Sequence, residues 1–146
     1  MPTGAKLIAA VCFALIGWLA AEAYIPQLPQ DTRTGSFREI MAALGFVLGW
    51  LTLGPSVGRG YGDAASMGVR TSFLLVFWGL LGFAIYFMVH RSTRMIYDNA
   101  GDAALDVPML MLRYGGLMGS VPLIGTLLVG GAIGGVLTEF AGRRWK

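Results

Sequence analysis

The sequence predicts an all-α integral membrane protein, with four transmembrane helices and a short periplasmic interfacial helix. Three observations carry this reading. The chain is 55% hydrophobic and 13% charged, where a soluble domain is about 25% charged. Its mean hydropathy is +0.66. Four apolar runs approach the roughly 20 residues that cross a hydrocarbon core. At 146 residues the chain fits one membrane domain, 1–146.

The first span, 7–25, is the run LIAAVCFALIGWLAAEAYI. A secretory signal peptide is its rival, since Lys6 precedes it and Ala21-Glu22-Ala23 resembles a cleavage site. The run is longer than the usual apolar segment of such a peptide, so the span is expected to be retained. Cys12 lies inside it as the single cysteine, which excludes an internal disulfide and a cysteine-based metal site. In an apolar run it reads as a buried, inert thiol.

The second span, 38–56, centres on IMAALGFVLGWLTLG, and the third, 71–91, on SFLLVFWGLLGFAIYFMVH. The third helix is expected to continue beyond the bilayer through Arg91–Tyr97. Trp18, Trp50, Trp78, Trp145 and several tyrosines are candidate interface anchors, of which only those near span ends fit; Trp78 sits too deep and is expected to pack against a neighbour. Past Asp98, ALDVPMLMLRYG places Asp102, Asp106 and Arg113 at spacings of four and seven, on one helical face. Leu105, Met109, Leu110 and Leu112 cover the rest. An interfacial helix over 103–116 follows, with Pro108 in its first turn. Pro122 opens the fourth span, 122–141.

Four spans put both termini and the second connection on one side. That side holds Lys6, Arg59, Arg70, Arg143, Arg144 and Lys146; the other holds Arg33, Arg38, Arg91, Arg94 and Arg113. Six against five, with the clustered tail, predicts cytoplasmic termini. The net charge of +3 therefore reads as a topology signal, and nucleic acid is rejected as a partner.

The glycine-rich connection GPSVGRGYG lacks the Lys-Ser/Thr ending of a phosphate loop. It reads as a tight basic turn, with Arg59 and Arg70 at lipid headgroups. Arg144 and Lys146 serve the same role at the tail. Glu22 and Glu139 lie inside spans, where charge is a functional candidate by default. Each is near a span end, where snorkelling lowers the cost, and Arg143 can pair with Glu139 at i+4. A charged group nearer mid-membrane is lacking, which argues against an autonomous transporter. His90 reads as a solvated interface residue. The residues assemble no catalytic, metal or cofactor site, so an enzyme is not expected.

Glycine carries the clearest pattern. Gly45 and Gly49 form a GxxxG pair; Gly130 with Gly134, and Gly131 with Gly135, form two more. Thr126, Gly130, Gly134 and Thr138 make a small stripe suited to close helix contact. Packing of the fourth span on the second is the expected use. Self-association and docking on another membrane protein complex are the alternatives.

The start MPTGAKLIAA, the blocks GPSVGRGYGDAASMG, LVFWGLL and RMIYDNAGDA, and the end IGTLLVGGAIGGVLTEFAGRRWK resemble the TrgA family. These are small bacterial membrane proteins associated with tellurite resistance. The terminal block is the most specific: Ile124 to Gly131, Glu139, and Arg143, Arg144, Trp145 and Lys146. The linkers QDTRTGSFREI and VPMLMLRYG depart from the family. The resemblance implies a multi-pass protein of the bacterial inner membrane whose loss sensitises cells to tellurite. It implies no active site. The residues themselves suit a second function class, an accessory structural subunit of a respiratory or photosynthetic membrane complex.

Overall fold

The computed structural model describes residues 3–28, 30, 35–95 and 98–145. The chain is an all-α multi-pass membrane protein. Its helices are α1 (Thr3–Tyr24), α2 (Phe37–Leu48), α3 (Tyr61–Ser92), α4 (Ala100–Leu117) and α5 (Val121–Arg144), and no strand occurs among the described residues. Four segments are long and apolar enough to cross a membrane: Gly4–Gln27, Phe37–Ser56, Tyr61–Ser92 and Val121–Arg144.

The helices close as a ring in the order α2, α1, α5, α3. The outer face is apolar and exposed, with Leu15, Leu51, Phe73 and Ile133 on it. The interior holds Phe13, Leu53, Leu75 and Leu123. Water gives no driving force between helices in lipid, so close packing and hydrogen bonds must hold the ring. Both appear. Small residues let α1 meet α2 and α5, and let α5 meet α3. At the end that bears α4, the rings of Tyr24, Phe37, Phe83 and Tyr114 pack together, Phe83 meeting Tyr114 edge-on at 5.2 Å. The Tyr24 hydroxyl donates to the Tyr114 carbonyl at 2.9 Å, which satisfies a buried polar group.

Several boundaries differ from the sequence reading. The second span closes irregularly, with a π-helical stretch at Gly49–Leu53 and a 3-10 turn at Gly54–Ser56. Thr52 in that stretch bonds Thr71 of α3 at 2.9 Å. Helix α3 begins at Tyr61, ten residues before the expected start, and has 32 residues. That is roughly 48 Å of helix. Its first turns are amphipathic, with Ala64 and Gly68 buried and Asp63, Ser66 and Arg70 exposed. Those polar residues lower the hydropathy and hid the start. Arg70 therefore lies within α3, outside the glycine-rich connection. At the other end α3 stops at Ser92, because Thr93 caps it and Met95 takes a positive φ of 53°. The proposed continuation to Tyr97 fails there, and residues 96 and 97 lie outside the described residues.

Trp78 is 47% exposed and packs edge-on against its chain neighbour Phe77; it faces outward because the Gly79 side of α3 is the buried one. Cys12 is half-buried. Helix α4 starts three residues earlier than expected, so Pro108 sits inside it. It has three faces. Leu110 and Tyr114 are buried; Asp106 pairs with Arg91 of α3 at 3.1 Å; and Leu105, Met109 and Leu112 stand exposed.

Candidate functional site

The most deeply buried charge among the described residues is Glu139, 1% exposed, near the end of α5. Burying a carboxylate is costly unless it is paired and hydrogen-bonded. Three donors surround this one. The Gly58 N–H donates to Oε2 at 2.7 Å, and the Gly60 N–H to Oε1 at 3.3 Å. Arg143 Nε donates to Oε1 at 2.9 Å. Arg143 is one turn along α5 and 49% exposed. Its guanidinium lies over the Tyr61 ring, 4.6 Å from the centroid, a cation–π contact.

The connection can reach Glu139 because two of its residues are glycine. Gly58 has φ +102° and Gly60 φ +118°, values that L side chains rarely adopt. The turn presents the alternate N–H groups of Gly58 and Gly60 inward, much as an anion-binding nest presents its backbone donors. Here the anion is the protein's own carboxylate. Arg59, between them, is turned outward and exposed. Neighbouring contacts complete the closure. Val57 packs on Gly142, the Lys6 stem covers Gly54, and the Trp145 ring covers Gly4. The start of α1, the connection 54–60 and the end of α5 thus form one clasp at the end of the bundle opposite α4.

The structure brings Glu139, Arg143 and Arg59 into that clasp, with Arg144 exposed at its rim. Lys146 lies outside the described residues. Arg70 stands apart on α3. Glu22 pairs with Arg38 across α1 and α2 at 3.1 Å, both partly exposed, which fits a position near a span end. The expected lone ion pair of Glu139 with Arg143 is present, but the carboxylate is buried and not snorkelling. Sequence reasoning missed its bonds to Gly58 and Gly60. The signal was available in the GxGxG spacing of the connection, a nest without a phosphate.

The glycine pairs are filled from within the chain. Gly45 and Gly49 face the Phe13 and Ala9 carbonyls of α1. Gly130 and Gly134 face Ile16 and Phe13 of α1. Gly131 and Gly135 face Gly68 and Ala64 of α3. The fourth span therefore packs on the first and third, and the expected packing on the second is corrected. Two stripes on adjacent sides of α5 serve two different helices. Thr126 lies beyond both, its hydroxyl donating to the Pro122 carbonyl at 2.7 Å.

Family models, curated proteins and solved structures yield no match to the chain.

Proposed function

We propose that this is a non-catalytic protein of the bacterial inner membrane, with cytoplasmic termini, that acts in tellurite tolerance. One observation supports the link. The two blocks that carry most of the TrgA resemblance, GPSVGRGYGDAASMG and the terminal block, are far apart in sequence and meet at Glu139. Glu139 of the terminal block accepts from Gly58 and Gly60 of the other block, so the two blocks that carry the resemblance build one feature of the bundle. The clasp occupies the carboxylate with three donors, so its role is to hold the end of the bundle. The test is deletion of the gene followed by growth across a tellurite series. Sensitivity rescued by the wild-type chain is expected; growth indistinguishable from the parent would sink the reading.

The accessory-subunit reading has its own support, on a different surface from the one expected. The glycine faces are used internally, whereas α4 presents Leu105, Met109 and Leu112, the last 78% exposed. Native mass of the tagged protein in mild detergent separates the two. A stoichiometric large complex favours the subunit, and a small particle without partners favours autonomous action.

A further inference from the structure

A cleft of about 480 Å³ opens between α2 and α3. It follows from the way the ring closes, since α2 and α3 are the ring neighbours least in contact. Glycine on α3 deepens it. A Cβ at Gly79 would lie 2.7 Å from the Met41 sulfur, but one at Gly82 would meet nothing within 4 Å. Ile40, Leu44 and Phe83 form the walls.

The cleft is polar at one end only. Ser36 stands just ahead of α2, and Tyr86 lies toward the end of α3. One turn on, His90 stacks on Tyr86 with rings 6.2 Å apart and 8° from parallel. The other end, at Met41, Leu44 and Gly79, is apolar. Helix α2 opens the segment Phe37–Ser56 and α3 fills Tyr61–Ser92, both long and apolar enough to cross a membrane, so this polarity runs from the surface that bears α4 toward the bilayer interior. Water does not fill such a space, because apolar walls lack the two to four partners a water needs. Left empty, the walls would forfeit their dispersion contacts.

We propose that the cleft is the seat of one acyl chain of a bilayer lipid, its headgroup at Ser36 and His90 and its tail against Leu44 and Gly82. An amphiphile is the occupant whose own polarity runs in the same direction as the cleft. Two cationic residues at that end are already engaged, Arg38 with Glu22 and Arg91 with Asp106. The lining itself carries no Lys or Arg, so recognition falls on the chain and the headgroup is weakly selected.

The test uses the full chain in nanodiscs of phosphatidylethanolamine and phosphatidylglycerol, released into native mass spectrometry. One lipid per chain should survive activation that strips loosely held lipid, with little preference between the headgroups. Gly82→Phe should lower the retained fraction by about tenfold or more while the melting temperature holds or rises. Leu44→Trp should do the same from the deep end. A diazirine on the acyl chain should label the unaltered protein at 79–86 and 40–44. Release of all lipid from the wild type, full retention by folded Gly82→Phe, or labelling spread evenly over the spans would each overturn the proposal. So would a dimer that Gly82→Phe abolishes, since the occupant would then be a second copy of the chain.

Discussion

Glu139 and the two glycines opposite it illustrate what single residues contribute. Gly60 has φ +118° and ψ 160°, a region where side chains cost about 1–3 kcal/mol. Gly60→Ala is expected to lower stability by that amount in thermal melts. Gly62→Ala, two residues on, has open space and a helical backbone, and should be neutral or gain less than about 1 kcal/mol. Equal losses would show that the turn conformation is not the cause. In Glu139→Gln the amide nitrogen cannot accept a hydrogen bond, so one of the Gly58 and Gly60 donors loses its partner. Tryptic cleavage after Arg59 should accelerate several-fold, read by mass in detergent; an unchanged rate would mean the loop is held by Val57 on Gly142 alone. Tyr24→Phe removes one buried hydrogen bond, and about 0.6 kcal/mol, at most about 1.7, is expected from such bonds in membranes.

Helices were legible where lipid imposes a rule. A spanning segment must be apolar for about 20 residues, so Leu7, Ile40, Ser72 and Pro122 each marked a run that proved helical. What spacing could not assign was direction. Gly130 and Gly131 are neighbours in sequence, yet one faces Ile16 and the other Gly68. A GxxxG pair states that something approaches closely, not which helix does. The contact of Glu139 with Gly58 was hidden for a related reason, since 81 residues separate them. The start of α3 was lost because Asp63 and Arg70 look like loop residues until Ala64 and Gly68 are seen against α5. These placements make a sharp comparison possible. Gly135→Leu would drive a side chain into the Ala64 carbonyl, whereas Gly125→Leu meets nothing within 4 Å. The first should cost at least about 1–3 kcal/mol through overpacking and shift the particle toward aggregate in size-exclusion chromatography. The second should elute as the wild type. Matching profiles would refute the α3–α5 contact.

At the scale of the whole molecule, the start of α1, the end of α5 and the clasp lie at one end, and α4 at the other. In a Cys12→Ala background, Arg59→Cys and Trp145→Cys should react with an impermeant maleimide from the same side. Asp102→Cys should react from the opposite side. Labelling of Arg59→Cys and Asp102→Cys from one side would break the four-span arrangement. If the termini are cytoplasmic, Asp102→Cys is the one labelled in intact cells.

The span of 81 residues between Gly58 and Glu139 also sets an order of events. Helices in lipid insert first and associate afterwards. The pairing of α1 with α2 joins near neighbours in the chain and can form while synthesis continues. The turn at Gly58 and Gly60 has no such local partner. It must wait, with its N–H groups bonded only to water, until α5 has entered the membrane and brought Glu139 back to it. A ribosome that stalls before α5 would leave three helices in the bilayer and an open, arginine-bearing loop. A chain cut short before α5 should therefore be cleaved by trypsin after Arg59 faster than the full chain, because Glu139 is not there to hold the turn.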